Sequence, residues 1–401
     1  MKLLTFTSLY PNAVKPSHGV FVENRLRHLV DGGRVEARVV APVPWFPWKH
    51  PRFGRYAGFV SVPKRELRFG LDVHHPRYPM LPGTAMSAVP LTMALGARKT
   101  VASLIASGFD FDAIDAHYFF PDGVAAILLG KWFDRPVVIT ARGSDVNVLP
   151  QYALPRRMIR WAAREAAAIV TVAHSLKIEL LALGVNGDKI VVLRNGVDLK
   201  QFAPLPMRAA REQLGIAENA KLVVSVGNLI AMKGHDLTIA AIAELPGVQL
   251  LITGSGPERD ALSRLAERIG VADRVKFLGQ LAHDRLPVVY SAADALVLAS
   301  SREGWANVLL EAMACGTPVV ATDVGGSAEV VAVPEAGTIV RERSSQAIAA
   351  ALRKLLADPP DRAATRRFAE RFSWDDTTRG QERLFQSVLS AQPGLQWKGA
   401  R

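Results

Sequence analysis

Short apolar runs and segments of helical periodicity alternate along the chain. In the first half, segments with one apolar face lie at 20–31, 85–107, 121–132, 155–166 and 175–183, and between them apolar runs lie at 2–6, 36–41, 112–116, 136–140, 168–173 and 190–193. Short apolar runs fit buried strands, and the intervening helices fit crossovers between parallel neighbours. The pattern therefore predicts an α/β domain with a mostly parallel, doubly wound sheet.

The second half repeats this pattern. Strand-like runs lie at 221–226, 248–253, 274–278, 294–299, 317–321 and 337–340, and helical segments at 234–244, 257–269, 284–292, 307–315, 325–332 and 345–357. A chain of 401 residues is too long for one core, so we expect two Rossmann-like domains. The segment 198–206, with two prolines, is the expected linker. The predicted domains are 1–203 and 207–370, followed by a closing helix at 373–390 that begins with capping residues.

Composition narrows the classes of partner. The chain carries 49 Lys and Arg against 37 Asp and Glu, a formal net charge of +12, which favours an anionic partner. No helix-turn-helix, zinc or RNA-binding signature is present, so we expect no nucleic acid. The uncharged run Tyr78–Ala97 contains three prolines, so a membrane span is not expected. The single cysteine, Cys315, lies in an apolar helix and should be buried.

The stretch 300–322 has the order strand, loop, helix, strand. Gly304 allows the loop backbone to approach a ligand, and Gly316 stands where a helix ends. Backbone amides at the start of this helix, together with the helix dipole, suit a phosphate. Two carboxylates, Glu303 and Glu311, flank that place and could bind hydroxyl groups of a ribose and a sugar. The alternative is that Glu303 is a first-turn acid and Glu311 an exposed helix acid.

This run resembles the E-x7-E region of family 4 glycosyltransferases, which are retaining enzymes of the GT-B fold, with two Rossmann-like domains facing across a cleft. The resemblance implies that Glu303 contacts the transferred sugar and Glu311 the ribose of a nucleoside diphosphate donor. It implies that the amides of the intervening segment bind the diphosphate, and that the closing helix crosses back to the first domain. The residues of that segment are Gly304, Trp305, Ala306, Asn307 and Val308.

The resemblance extends to three strand ends of the first half. Gly19 matches the glycine loop near the active centre, and His117 matches a histidine that faces the transferred sugar. Asp122 is instead a candidate helix N-cap. Where the family commonly has His-Gly, this chain has Arg142 and Gly143, and the arginine could bind an acidic acceptor or a phosphate. A surface salt bridge from Arg142 to Asp145 is the alternative.

In the second half, Lys233 matches the lysine that neutralises the leaving diphosphate. The family usually has an arginine where Asn228 stands, so another cation would have to compensate. The arginines at 142, 194 and 302 are the candidates. Gly254 ends one strand, and Leu278 ends the next, where the family holds the nucleobase with backbone groups.

The function that the resemblance implies is transfer of a sugar from a nucleoside diphosphate donor to a hydroxyl acceptor with retention. We find no His and carboxylate cluster with ligand spacing, so we expect neither a metal nor another cofactor. A sugar-nucleotide epimerase or a sugar phosphorylase on the same fold is one alternative. The other is a non-catalytic protein that binds a membrane or a polymer.

Aromatic and basic residues interleave between Trp45 and Tyr78. The aromatic residues are Trp45, Phe46, Trp48, Phe53, Tyr56, Phe59, Phe69 and Tyr78, and the basic ones are Lys49, Arg52, Arg55, Lys64, Arg65, Arg68 and Arg77. Such a segment suits contact with an anionic membrane surface, and its prolines favour a loop over a helix. We therefore expect peripheral association with the cytoplasmic face of the membrane and a glycan or lipid-linked acceptor of envelope synthesis. The alternative is that the aromatic residues belong to the core of the first domain.

Overall fold

The computed structural model describes residues 1–46, 50, 58–80 and 86–391. The chain divides into two compact units. The first consists of Met1–Arg194 together with the chain from Asp375 onwards, and the second is Asn195–Trp374.

The first unit is built on an eight-stranded sheet and a separate pair of short strands. Its described residues form ten strands: β1 (Lys2–Phe6), β2 (Glu36–Val40), β3 (Val43–Trp45), β4 (Arg65–Arg68), β5 (Leu71–His74), β6 (Arg77–Pro79), β7 (Ala113–His117), β8 (Val137–Ala141), β9 (Ala168–Thr171) and β10 (Ile190–Val192). The sheet order is β10-β9-β8-β7-β1-β2-β5-β4, and β3 pairs with β6. All the pairs are parallel except that between β4 and β5. The strand order reverses between β1 and β7, where ligands of such sheets bind.

Helices cover both faces of this sheet. They are α1 (Val20–Asp31), α2 (Val89–Ala106), α3 (Val124–Phe133), α4 (Ser144–Asn147), α5 (Ala153–Glu165) and α6 (His174–Ala182). Single helical turns lie at Met86–Ala88, Phe119–Gly123, Leu149–Gln151 and Gly187–Lys189. Leu3, Val22, Leu26 and Val138 are buried in the core between α1 and the sheet. The described residues of 45–78, where a loop was predicted in preference to a helix, include three strands that the sequence did not predict: β4 and β5 extend the sheet, and β6 pairs with β3.

The second unit has one six-stranded sheet in which all pairs are parallel. Its strands are β11 (Lys221–Val226), β12 (Val248–Thr253), β13 (Val275–Gly279), β14 (Ala295–Leu298), β15 (Val319–Thr322) and β16 (Gly337–Val340). Their order is β13-β12-β11-β14-β15-β16, so the reversal falls between β11 and β14. The described elements thus form the two doubly wound parallel sheets that the sequence predicted.

Eight helices of the second unit follow in chain order. They are α7 (Met207–Leu214), α8 (His235–Ala243), α9 (Arg259–Arg268), α10 (Leu286–Ala292), α11 (Asn307–Ala314), α12 (Ser327–Val330), α13 (Ser345–Ala357) and α14 (Arg362–Ala369). Single turns lie at Ala231–Lys233, Ala272–Arg274, His283–Arg285 and Glu370–Phe372. Cys315 is fully buried at the end of α11, as predicted.

The last helix, α15 (Trp374–Ser390), packs into the core of the first unit. Phe385 is 1% exposed and lies in the same apolar cluster as Leu3 and Leu29. Gly380 faces Leu193, where a Cβ would lie 2.5 Å from a leucine methyl carbon. Among the described residues, no helix is both long enough and apolar enough to cross a membrane.

Candidate functional site

Lys233 and Glu303 meet at the strand-order reversal of the second unit. Lys233 lies in the turn after β11, Glu303 lies in the loop after β14, and Lys233 Nζ is 2.7 Å from Glu303 Oε1. Ser300 Oγ donates to the same carboxylate oxygen over 2.6 Å. Both charged side chains are largely buried, with 19% and 10% exposure. A cation and a carboxylate are thus fixed together at the position where open α/β sheets bind ligands.

Close backbone approaches hold the loops around this ion pair. Gly254 has φ +144°, and a Cβ there would lie 1.8 Å from the carbonyl oxygen of Gly227. A Cβ on Gly325 would lie 1.9 Å from the carbonyl oxygen of Glu303. Only glycine fits such contacts, so these loops keep their positions before any ligand binds.

The start of α11 is the predicted phosphate position, which remains a prediction. No side chain caps this helix, and Ala306 occupies the cap position. The Trp305 indole is only 6% exposed, and its Nε1 donates to the carbonyl of Asn195 over 3.1 Å. Asn195 Nδ2 in turn donates to Asn307 Oδ1 over 3.2 Å. Trp305 and Asn307 therefore anchor the loop by their side chains, and no side chain caps the amides at the start of α11.

Glu311 is not an exposed helix acid, so that alternative is wrong. It is 8% exposed, Tyr290 OH donates to its Oε2 over 2.8 Å, and His283 Nε2 lies 3.2 Å from its Oε1. Gln201 Nε2 lies 3.0 Å from His283 Nδ1. Burial lowers the pKa of His283, but the hydrogen bond and charge of Glu311 outweigh it and raise that pKa overall. The network fixes the carboxylate in one orientation.

Sequence analysis missed His283, Tyr290 and Ser300 as partners of the two glutamates. Ser300 was visible as a near neighbour of Glu303, but its hydroxyl could have pointed elsewhere. His283 and Tyr290 lie just before and within α10, and the packing of α10 on α11 could not be deduced from periodicity.

Gly254, Leu278 and Asn228, predicted to lie near the nucleobase and the phosphates, are found at the carboxyl ends of strands β12, β13 and β11. Gly254 N donates to the carbonyl of Gly279 over 2.8 Å, which joins the ends of β12 and β13 beside the half-buried Leu278. Asn228 is exposed in the turn after β11. Three arginines were considered as replacements for the charge that an arginine would supply in place of Asn228. Arg302 is exposed in the second unit, whereas Arg142 and Arg194 belong to the first.

The structure adds Arg343 as a further cation. Its Nε donates to the carbonyl of Ala299 over 2.9 Å. Its Nη2 lies 2.9 Å from where a Cβ of Gly234 would stand, directly after Lys233. Arg343 is therefore a stronger candidate than Arg302 for charge next to the lysine.

In the first unit, Gly19 begins α1 with φ +73°, and a Cβ there would lie 2.3 Å from the carbonyl oxygen of Leu9. Asp122 secures the same loop, because its carboxyl group accepts from the backbone N–H and the hydroxyl of Ser8. The prediction that Asp122 caps the next helix is wrong: Gly123 precedes α3, without a side-chain cap. Burial raises the pKa of Asp122 to about 7.

His117 is buried, with 1% exposure, and both of its ring nitrogens are engaged. Its Nδ1 lies 2.8 Å from Arg142 Nη2, and its Nε2 lies 3.2 Å from Asp115 Oδ2. Because the guanidinium group can only donate, Nδ1 accepts, and Nε2–H donates to Asp115. Burial lowers the pKa of His117 to about 4, so the ring is neutral at physiological pH. The sugar contact predicted for His117 remains a prediction, and the ring is held away from solvent.

Arg142 is 9% exposed, so the alternative of a surface salt bridge is wrong. Its guanidinium group lies against the His117 ring and 5.2 Å from the centroid of Phe21. The Asp145 carboxylate accepts the backbone N–H groups of Phe119, Arg142 and Gly143 over 2.7, 3.1 and 2.7 Å. Burial lowers the pKa of Arg142 well below its ordinary value. The arginine that replaces the family's histidine therefore holds His117 in one tautomer.

No group of three metal-ligating side chains occurs in the described part of the chain. Sequence analysis missed an Asp-x-Asp pair, Asp110 and Asp112, which lies before β7. Arg135 Nη2 lies 2.6 Å from Asp110, and Lys2 N donates to Asp112 over 2.7 Å. These aspartates precede β7, at the end of the sheet opposite to its ligand-binding edge.

The segment 45–78 has a mixed environment. Trp45 is 55% exposed and Phe69 is 64% exposed, whereas Tyr78 is 4% exposed and belongs to the core. Arg65 and Arg68 form ion pairs with Asp72 and Glu23. Six residues of the predicted membrane contact lie outside the described residues: Trp48, Lys49, Arg52, Phe53, Arg55 and Tyr56.

Sequence comparisons identify relatives. The family models for Glycosyltransferase Family 4 and for Glycosyl transferases group 1 match residues 88–201 and 206–372. TuaC of Bacillus subtilis (strain 168), a glycosyltransferase assigned to teichuronic acid biosynthesis, is 29% identical over 88% of this chain and 88% of its own length. D-inositol 3-phosphate glycosyltransferase of Corynebacterium urealyticum is 31% identical over 76% of this chain and 78% of its own.

Solved structures give the fold. Sucrose-phosphate synthase from Thermosynechococcus elongatus superposes with a TM-score of 0.81 at 22% identity, covering 98% of this chain and 99% of that one. HepE from Anabaena in complex with UDP-glucose has a TM-score of 0.73 at 22% identity, covering 98% and 99%. The chain therefore belongs to the group 1 and family 4 glycosyltransferases and is a glycosyltransferase of the GT-B fold.

Proposed function

We propose that this enzyme transfers a sugar from a nucleoside diphosphate donor to a hydroxyl acceptor with retention of configuration and without a metal ion. The observation that carries the donor assignment is the Lys233–Glu303 pair beside the uncapped start of α11. The complex of HepE with UDP-glucose supports a nucleotide-sugar donor, because that protein shares the fold.

The donor diphosphate would lie at the start of α11, where helix amides and the Lys233 ammonium group offset its charge. In the free protein that ammonium group is paired with Glu303. When the diphosphate takes over the ammonium group, Glu303 can accept hydrogen bonds from the transferred sugar. Glu311, fixed by Tyr290 and His283, would accept from the ribose.

In the proposed step, the acceptor oxygen attacks the anomeric carbon from the face that the diphosphate leaves. The bond between the anomeric carbon and the diphosphate oxygen breaks, and a leaving phosphate oxygen takes the acceptor proton. Nucleoside diphosphate and a glycoside of unchanged configuration are the products. Retention follows from the family resemblance.

Lys233 and the helix dipole carry the leaving charge in this proposal, and Arg343 is placed to contribute. Activity should therefore persist in excess EDTA. A loss of activity in EDTA that Mg²⁺ restores would contradict metal independence.

Product analysis tests the reaction class and separates the alternatives. With a nucleotide-sugar donor and a hydroxyl acceptor, the transferase yields nucleoside diphosphate and a glycosylated acceptor in equal amounts. An epimerase yields only a new nucleotide sugar, a phosphorylase yields a sugar phosphate, and a binding protein yields neither.

We further propose an acceptor in envelope glycan or glycolipid synthesis, used at the cytoplasmic face of the membrane. The assignment of TuaC to teichuronic acid biosynthesis supports this, as do the exposed side chains of Trp45, Leu67 and Phe69 in a basic region.

Vesicle sedimentation tests the membrane contact. Binding should appear with anionic lipid, fall as salt rises to a few times physiological ionic strength, and weaken when Lys49, Arg52 and Arg55 become Glu. Equal recovery in the supernatant under all conditions would rule the contact out.

A further inference from the structure

A basic pocket lies at the β4 edge of the sheet in the first unit. Its volume is about 710 Å³, within the range of small-molecule sites. One side is formed by side chains of β2, β4 and β5, and the other by one face of α2. Among the described residues, five cations line it against one carboxylate, that of Asp72; the cations are Arg38, Lys64, Arg65, Arg77 and Lys99.

The strand pairing explains why these charges meet. Arg38 of β2 pairs in register with Asp72 of β5, and Arg65 of β4 pairs with His74. Side chains of paired residues point to the same face of a sheet, and so do those of Asp72 and His74, which are two residues apart on β5. Arg38, Arg65, Asp72 and His74 therefore share one face, which lines the pocket together with α2. A continuous basic surface results from alternate residues of three neighbouring strands.

Three basic side chains lie close to the Asp72 carboxylate. Arg65 donates to both of its oxygens over 2.6 and 3.0 Å, His74 Nε2 lies 3.1 Å from Oδ2, and Arg38 Nε lies 3.9 Å away. One carboxylate cannot neutralise five cations. The pocket therefore carries a surplus of four positive charges when His74 is neutral, that is, five cations minus one carboxylate.

Arg77 lines the pocket beside α2. Its Nη2 donates to the carbonyl of Val62, which fixes the position of its guanidinium group. Arginine forks of this kind match the oxygen atoms of carboxylates and phosphates.

The wall formed by α2 gives the pocket both its shape and its hydroxyl groups. Gly96 lets this helix lie against β6, since a Cβ there would lie 2.5 Å from the carbonyl oxygen of Arg77. Thr100, Ser103 and Ser107 follow along the same wall. Among the described residues that line the pocket there is no Phe, Tyr or Trp, and the ring of His74 lies against Asp72, so the pocket lacks a broad stacking surface for a nucleobase. Cations beside hydroxyl groups instead suit a phosphate ester whose organic part is a polyol.

We propose that this pocket binds the phosphate ester of a small polyol, either free or as the headgroup of an anionic lipid. The proposal rests on the first unit alone and does not depend on the identity of the donor or on the reaction.

The probes are sn-glycerol 3-phosphate, titrated into the full chain by calorimetry, and phosphatidylglycerol vesicles, followed by flotation. A double variant, Lys64→Glu with Lys99→Glu, reverses two exposed charges that line the pocket. The matched control is Arg160→Glu with Arg164→Glu, which makes the same charge change on the exposed face of α5, near the β10 edge of the same sheet.

At physiological salt, the pocket variant should bind at least one of the two probes about tenfold more weakly or worse, and the control variant should stay within about twofold of the wild type. A cooperative thermal transition of the pocket variant, close to that of the wild type, shows that it is folded. Competition by glycerol 3-phosphate for vesicle binding assigns the pocket to the lipid headgroup, whereas binding of the soluble ester alone assigns it to a free phosphate ester.

Two results would overturn the proposal. One is that neither probe binds the wild type at millimolar concentration. The other is that the pocket variant and the control variant lose affinity equally, which would make the attraction a property of net charge alone.

Discussion

The Asp122→Asn variant should become more stable relative to the wild type as the pH rises from 5 to 8. The carboxyl group is fully buried, and burial raises its pKa from 3.8 to about 7 in spite of the hydrogen bonds from Ser8. Between these two values the native state binds the proton and the unfolded state does not. The free energy of unfolding therefore falls as pH rises through this window. Asparagine keeps the shape of the side chain and cannot ionise.

The magnitude follows from the size of the shift. A shift of about three units corresponds to a full penalty of about 4 kcal/mol, reached above the native pKa. Between pH 5 and pH 8 the wild type should lose about 2.5 kcal/mol through this group, and the Asn variant should lose none of it. In a domain of about 200 residues this difference corresponds to a change of about 5 to 10 °C in the gap between the two melting temperatures.

Thermal and urea unfolding of both proteins at pH 5, 6.5 and 8 measures the effect. Taking the difference between the two proteins removes the contribution of other titrating groups. The exposed Asp188→Asn provides the matched control and should show no such trend. The reasoning would be refuted if the difference in unfolding free energy between the two proteins stayed constant within about 0.5 kcal/mol, or shifted in favour of the wild type, as the pH rises. Asp122 would then ionise readily in the folded state.

Three further predictions concern the second unit. Glu303→Gln should lower kcat/KM by about tenfold to a thousandfold in a steady-state assay, since it removes the charge that pairs with Lys233 and that we propose orients the sugar. A change under twofold would remove Glu303 from the site. The stability that His283 gains from its carboxylate partner should be complete below its unfolded pKa of about 6.5 and disappear as pH rises through the raised folded value. Urea titrations of wild type and His283→Asn should therefore converge toward alkaline pH, and parallel curves would contradict the pair. Gly254→Ala should destabilise by about 3 kcal/mol or more because its Cβ collides with backbone, whereas Gly247→Ala, with open space around it, should cost less; equal melting temperatures would contradict the close approach.

The two sheets could be predicted because buried parallel strands leave uninterrupted apolar runs. The run 221–226 coincides with β11, and 248–253 coincides with β12. In contrast, β4 reads Arg-Glu-Leu-Arg, with charges on both sides, because it is an edge strand whose outer face meets water. Its charges hide the strand pattern, and its partner β5 was missed with it.

The site was predictable where a local sequence fixes local geometry. The loop of Glu303 and the start of α11 follow directly from the order strand, glycine loop and helix. The environment of Glu311 was not predictable, because His283 and Tyr290 reach it through the packing of two helices. Likewise the sequence placed Arg142 next to Asp145, whereas the fold directs its guanidinium group to His117, because β7 and β8 are neighbours in the sheet.

Calorimetric titration of UDP, GDP and ADP into the protein in excess EDTA tests the central claim most directly. We predict that at least one of these nucleoside diphosphates binds without metal, and that Lys233→Met weakens that binding by about tenfold or more, since the cation beside the start of α11 is lost. No binding of any of the three at millimolar concentration, or equal affinity for the wild type and Lys233→Met, would contradict the assignment of Lys233, Glu303 and the start of α11 as the donor site.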